Sequence, residues 1–232
     1  QEQPEGKVKI KKLFAEYFVN GGLPEYLKNK DIEYVKPLYE NILYSDIIAS
    51  YSIKKQKIIK ELMNLLVSNI SSTFTYNSLK KSLGLSNSIT VKEYISYLSN
   101  SYLFFELQRF DFSVKRQLNF PKKIYLIDPV FSQISGFNFS MNKGKMLENI
   151  VFIELKRRNN EIYYCLNKNE CDFLIKNGIK IVGAIQVCYM LDDSNREREI
   201  NGLLEVMNKF KLKEGIILTY EQEEDVKVNG KV

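Results

Sequence analysis

Between Asn169 and Tyr189 the chain reads NECDFLIKNGIKIVGAIQVCY, two short apolar runs that each carry a polar side chain near the centre. Asp172 lies in the first and Gln186 in the second. Short apolar runs bounded by turn residues read as strands, and a strand that buries a carboxylate or an amide must give it a partner. The pair is therefore either the remnant of a metal site or two side chains that point to solvent. With EIYYCL (161–166) ahead of them, ECDFLI (170–175) and KIVGAIQVCYM (180–190) make three strands joined by tight turns such as Lys176-Asn177-Gly178. The helix KMLENIVFIELKRR (145–158), with Leu147, Ile150, Val151 and Leu155 on its buried side, precedes them. The polar helix SNREREINGLLEVMNKF (194–210) and the strand EGIILTY (214–220) follow, which gives the order αβββαβ.

Upstream the hydrophobic period is that of helices. IKKLFAEYFVNGGLPEYL (10–27) spaces Leu13, Phe14, Tyr17 and Phe18 along one helix face, and Gly21-Gly22 followed by Pro24 stops it. A chain that opens so abruptly on a half-buried helix is expected to be preceded by natural sequence. Helices follow at 33–48, at 54–70 with Ile58, Leu62, Leu65, Leu66 and Ile70 on one stripe, at 77–85 and at 89–101, the last capped by Ser86 or Ser88. YLFFELQRF (102–110) and KIYLIDP (123–129) read as strands.

Three helices with a tight turn before the third, then a β-hairpin, make a winged helix-turn-helix, in which the third helix enters the major groove and the hairpin touches the backbone. The third helix offers Lys92, Glu93, Tyr94 and Ser96, which is not a basic surface. The wing is basic, and Arg109, Lys115, Arg116, Lys122 and Lys123 are the candidate phosphate contacts. Packing against another domain is the alternative use of such a module. Tyr94, Tyr97 and Tyr102 form an aromatic stripe expected in the core. A Gly- and Ser-bearing linker, SGFNFSMNKG (135–144), separates a domain 1–134 from a domain 135–232. The expected fold class is α+β, a helical and winged-helix domain followed by an αβββαβ domain.

Composition narrows the chemistry. The chain of 232 residues has no histidine and three cysteines, Cys165, Cys171 and Cys188, none in CxxC spacing. Zinc, which takes cysteine and imidazole ligands, is thereby excluded, and so are Ser-His and Cys-His nucleophile pairs. Catalysis would rest on carboxylates, lysine, tyrosine or a hard metal ion. A net charge of +6 and a pI near 9.0 favour acidic partners, nucleic acid first among them. No apolar run approaches the roughly 18–20 residues that span a bilayer, and QEQPEGKVKIKK leads into no signal-peptide core. The expected location is the cytoplasm.

One nuclease architecture uses the order αβββαβ with fixed polar positions: an acid on the first helix, an Asp in the second strand, and Glu-x-Lys in the third. Carboxylates on adjacent strands, about 4.8 Å apart, can share one Mg²⁺ or Mn²⁺, which takes oxygen ligands and keeps several waters. Such an ion activates water and stabilises the leaving oxygen, and a lysine stabilises the developing charge. Here Glu148 holds the helix position, Asp172 the second-strand position, and Gln186-Val187-Cys188 the Glu-x-Lys position. Glu148, Asp172 and Gln186 are thus the candidate metal-binding and catalytic residues. Gln186 supplies an oxygen without charge, and Cys188, a thiol mostly protonated near neutrality, does not replace lysine. Arg196 on the last helix is a candidate substitute. Outward-facing positions on helix and strand are the alternative account of Glu148 and Asp172.

EYFVNGGLPEYL (16–27), YLFFELQRF with KIYLIDP (102–129), GKMLENIVFIEL (144–155), and NECDFLI with IQVCY (169–189) fall in one order along the chain. In these segments, from about residue 13 to 220, the chain resembles the C-terminal half of the archaeal ATPase family. In that family a P-loop ATPase domain of the AAA-like or STAND type is followed by a winged helix and a PD-(D/E)XK nuclease-like domain. The resemblance implies DNA and an upstream ATPase domain as partners, with an oligomer open. The phosphate-binding motif G-x-x-x-x-G-K-[ST] does not occur, so no ATP site is expected in this chain. Three functions follow: a DNA-binding accessory module with a degenerate nuclease-like site, a weak Mg²⁺- or Mn²⁺-dependent DNA endonuclease, or a protein-interaction and regulatory half of the ATPase.

Overall fold

The computed structural model describes residues 4–134, 142–228 and 230–231. The architecture is mixed α and β with two small sheets. It divides into two compact units that interleave in sequence: one draws on residues up to 70, 76–105 and from 124 onward, the other on 71–75, 106–123 and from 142 onward. This differs from a simple cut into 1–134 and 135–232, because the second unit recruits the stretch around Arg109–Lys123. Most of the expected linker, residues 135–141, lies outside the described residues.

The first unit is largely helical. Helix α1 (Pro4–Asn20) ends where glycines require it: Gly21 has φ +72, and its N–H donates to the Tyr17 carbonyl at 2.8 Å. Helix α2 (Pro24–Asn29) and helix α3 (Ile32–Asn41), capped by the Asp31 carboxylate on the Glu33 N–H, follow, and a π-helical segment extends α3 through Ala49. Helix α4 (Gln56–Ser68) buries Ile59, Leu62, Met63, Leu66 and Val67. The expected period is present, but the buried stripe is turned toward Ile59 and Met63, leaving Ile58 and Leu65 half-buried.

Helix α5 (Tyr76–Ser82) and helix α6 (Ser88–Asn100) follow. The cap of α6 is Asn87, whose side chain accepts from the Ile89 N–H, rather than either flanking serine. Tyr94 is buried and Tyr97 stacks on Tyr51 at 3.8 Å, whereas Tyr102, with φ +59, is 70% exposed and so does not belong to the core stripe.

Strands β1 (Thr73–Phe74), β2 (Phe104–Gln108) and β3 (Lys122–Leu126) form a sheet in the order β1-β3-β2. Strand β3 stops at Leu126, short of the expected 129, because Asp128 caps a 3-10 turn at Pro129–Gln133. Helix α7 (Val114–Asn119), which the sequence reading missed, lies between β2 and β3 in the chain.

The second unit carries helix α8 (Lys143–Arg157), strands β4 (Glu161–Leu166), β5 (Glu170–Asn177) and β6 (Lys180–Val187), helix α9 (Arg196–Phe210) and strand β7 (Ile216–Leu218). The sheet order is β4-β5-β6-β7, antiparallel except for the β6–β7 pair. Gly178, at φ +59, makes the short turn between Asn177 and its partner Lys180. Gly202 lets α9 lie close on β5: a Cβ there would stand 2.4 Å from the Glu170 carbonyl oxygen. Cys165, Cys171, Leu174 and Ala184 of the sheet form a core with Leu203, Val206 and Met207 of α9. All three cysteines are buried free thiols, and burial pushes each of them up.

One irregularity decides where Asp172 points. Tyr163 pairs with Leu174 but Cys165 with Cys171, so β5 carries one extra residue between them. Cys171 and Leu174, three apart, therefore both enter the core against α9, which regular alternation forbids. Asp172 and Phe173 are left to the other side, where Phe173 lies 6.4 Å from Phe152 of α8. That side is covered by α8 and by Lys123, so the carboxylate there is buried.

Candidate functional site

Glu148, Asp172 and Gln186, singled out from the sequence, do come together. They line one cleft of about 330 Å³ in the second unit, with Gly144, Lys145, Glu170, Val187, Arg198 and Glu199. Asp172 and Gln186 are neighbours across adjacent strands: the Asp172 N–H donates to Gln186 Oε1 at 3.2 Å, and the Val187 N–H donates to Asp172 Oδ2 at 2.9 Å. Gln186 Nε2 donates to Glu199 Oε2 at 2.6 Å. Both ends of the Gln186 amide are therefore engaged within the protein, which is why it can be buried.

The centre of the cluster is a residue first assigned to phosphate binding. Lys123 is 1% exposed, and its ammonium contacts three carboxylates: Glu148 Oε1 at 2.8 Å, Glu170 Oε1 at 2.5 Å and Asp172 Oδ1 at 2.9 Å. An ammonium has three donors, and here three acids meet it. The Tyr164 ring lies 5.7 Å from the same nitrogen. Lys123 is placed by β3, where it pairs with Thr73 of β1, and Glu148 by α8, whose N-terminus is capped by Asn142 on the Lys145 N–H at 3.2 Å. Glu170 and Asp172 begin β5, whose preceding turn is held by Glu205 of α9 accepting from the Lys168 and Asn169 N–H groups. Burial opposes ionisation of Glu205, but those hydrogen bonds outweigh it and lower its pKa.

The wing cations separate into two groups. Lys122 and Lys123 are both buried, so neither is a surface phosphate contact; Lys122 Nζ donates to the Leu118 carbonyl at 3.0 Å and the Phe120 carbonyl at 3.4 Å. Arg109 is half-buried, stacked 4.2 Å from the Phe120 ring with its guanidinium on the Leu166 carbonyl. Lys115 and Arg116 of α7 are exposed, Arg116 pairing with Asp111 at 3.0 Å. The wing thus offers solvent two lysine or arginine head groups out of the five expected.

Arg196 points away from the cleft to Glu224 at 2.6 Å. Arg198 lines it instead and pairs with Glu199 at 2.5 Å, the two-residue step carrying the side chain to a different helix face. Cys188 donates its S–H to the Met190 carbonyl, and burial, followed by the charge of Glu199, raises its pKa, so it is a neutral thiol. The sequence reading missed Lys123 in this role, and with it Glu170, Arg198 and Glu199. A weak signal existed in the glutamate two residues before Asp172.

The residues present do not fit a divalent ion as they stand. Oxygens of Glu148, Glu170 and Asp172 already surround an ammonium, and the Gln186 oxygen is turned to a backbone N–H. Among the described residues no group of three or more His, Cys, Asp or Glu side chains is arranged to hold a metal ion. No helix of the described residues is long and apolar enough to cross a membrane.

The chain belongs to the family described as "Domain of unknown function (DUF8612)", whose model matches residues 11–133. It is 34% identical to an uncharacterized protein of Methanocaldococcus jannaschii over 219 residues, 89% of this chain and 48% of that protein. It is 24% identical over 229 residues to an uncharacterized protein of Haemophilus influenzae, covering 95% of this chain and 56% of that protein. The chain therefore spans about half the length of the curated relatives it matches. No solved structure matches it.

Proposed function

We propose that the chain is a DNA-binding accessory module of a P-loop ATPase, a winged helix followed by a PD-(D/E)XK-like domain that has lost cleavage. The observation that carries the reading is the convergence of Glu148, Asp172 and Gln186 on one cleft within an αβββαβ unit. Loss of cleavage is supported by the neutral Gln186 and the protonated Cys188 at the Glu-x-Lys positions, and by the ammonium among the acids. The exposed Lys115 and Arg116 and the net charge of +6 support an anionic partner. The greater length of both relatives leaves room in those proteins for a further domain, where an ATPase would lie.

The test combines cleavage and binding. Labelled single-stranded, duplex and branched DNA with Mg²⁺ or Mn²⁺ is expected to stay intact. Metal-dependent cleavage abolished by Asp172→Ala would make the protein an endonuclease instead. Binding is expected to weaken steeply with salt and in Lys115→Ala/Arg116→Ala; a salt-insensitive interaction would reject phosphate contacts. A second reading, protein interaction, is favoured by Phe112, Val114 and Leu118, which stand 78%, 68% and 56% exposed around the same α7.

A further inference from the structure

On the DNA-binding reading, we infer that Phe112 is a stacking platform for an unpaired base, with Lys115, Arg116 and Lys209 holding the phosphates beside it, so that the DNA this chain prefers is single-stranded.

Phe112 is 78% exposed, yet its ring is held. It meets the buried Phe110 edge-on with centroids 5.2 Å apart, and Phe210 of α9 at 6.3 Å. Phe110 in turn meets Phe210 at 5.3 Å and Tyr163 of β4 at 5.5 Å, both edge-on. Phe112 is thus the outermost ring of a cluster of four. The backbone that carries it is pinned on both sides. The Phe110 N–H donates to the Tyr164 carbonyl at 2.8 Å, and the Asp111 carboxylate accepts from the Ser113 N–H at 2.7 Å. The Gln117 amide donates to the Asp111 carbonyl at 2.5 Å. A ring already fixed in this way loses little freedom when a flat partner settles on it.

Cations stand beside the cluster. Lys115 and Arg116 are exposed on α7, three and four positions after Phe112. Lys209 is exposed on α9, its nitrogen 5.4 Å from the Phe210 ring and 3.4 Å from Asn167 Oδ1. The nearby acids are engaged: Asp111 pairs with Arg116, Glu161 with Lys176, and Glu205, one turn before Lys209, accepts from the Lys168 and Asn169 N–H groups. Arg116 gives Asp111 one of its five N–H donors and keeps others for a phosphate.

A fixed aromatic face beside lysine and arginine matches a single strand, whose bases stack on rings while its backbone follows the cations. A duplex keeps its bases stacked on one another, out of reach of such a ring. Protein interfaces favour aromatics but are poor in lysine, so Lys115 and Lys209 speak against a protein as the occupant. Val114 and Leu118, also exposed, offer no ring to a base.

Fluorescence polarisation with a labelled single-stranded DNA and with its duplex tests this on the whole chain. Wild type is expected to prefer the single strand. Phe112→Ala should weaken that strand at least about fivefold and leave the duplex unchanged. Phe112→Tyr should bind as wild type does, and Phe112→Leu, which keeps apolar surface without a π face, should be as weak as Phe112→Ala. The tyrosine and leucine variants differ in the ring alone, so their comparison stands even where alanine disturbs the turn. Lys209→Ala should lower both the affinity and its salt dependence. Equal single-strand affinity of wild type and Phe112→Ala would overturn the inference and leave DNA binding through Lys115 and Arg116 standing. Full affinity in Phe112→Leu, or tighter binding of RNA of the same sequence, would overturn it too. Failure of wild type to bind either form of DNA would overturn the DNA-binding reading and the inference with it. If light scattering then showed wild type self-associating and Phe112→Ala monomeric, the patch would be a contact between copies of this chain.

Discussion

Two buried aspartates, one in each unit, are satisfied in opposite ways. Asp128 is held by main chain: Oδ2 accepts from the Gly22 N–H at 2.8 Å and Oδ1 from the Val130 N–H at 2.9 Å. The backbone closes so tightly on it that a Cβ on Gly21 would fall 1.8 Å from Oδ1. Asp172 also takes one backbone N–H, from Val187, but its other oxygen meets the Lys123 ammonium, which Glu148 and Glu170 share. An acid enclosed by neutral donors, with no space beside it, is an element of the fold. An acid set with two others around one cation, at the edge of a cleft, carries charge that the fold alone does not require. The difference separates a structural carboxylate from a candidate site without reference to sequence motifs.

The comparison breaks most easily at Lys123. Removing one partner from a buried ion cluster leaves uncompensated charge, so Lys123→Met is expected to lose about 3–5 kcal/mol in urea unfolding. A loss below about 1 kcal/mol, the size of an exposed ion pair, would mean that water reaches the three acids and that the cluster resembles a surface pair. The corresponding change beside Asp128 acts through shape. Gly21→Ala puts a side chain at φ +72 and onto the carboxylate, and about 2–3 kcal/mol should be lost. An unchanged unfolding midpoint for this variant would show that the cap opens freely.

The sequence discloses these two places unequally. The Gly21-Gly22-Pro24 stop is legible because glycine and proline act locally, and β4 at 161–166 is recovered to the residue because its apolar run ends in turn residues on both sides. The order αβββαβ follows from the same punctuation. Asp172 was legible as an anomaly but its partner was not, because Lys123 lies 49 positions away. Lys122 and Lys123 read as a basic surface because charged pairs usually are; only the fold shows that both faces of β3 are covered. Asp128, read as the end of a strand, caps a turn, and it also accepts from Gly22, 106 positions earlier.

The smallest expected effect concerns pH and sharpens the contrast from the Asp128 side. Burial raises the pKa of Asp128, and the hydrogen bonds from Val130 and Gly22 only partly offset it. For an acid whose folded pKa is raised, the stabilising contribution is fully present below the unfolded value and is lost as pH rises through the folded one. Asp128→Asn removes that titration while keeping one oxygen acceptor. The stability of wild type relative to Asp128→Asn should therefore be greatest in acid, decline through the range just above an ordinary aspartate, and then level off. Melting temperatures of both proteins across that range measure it. A difference that grows with pH would mean that the two N–H donors outweigh burial, and Asp128 would then be held as an anion.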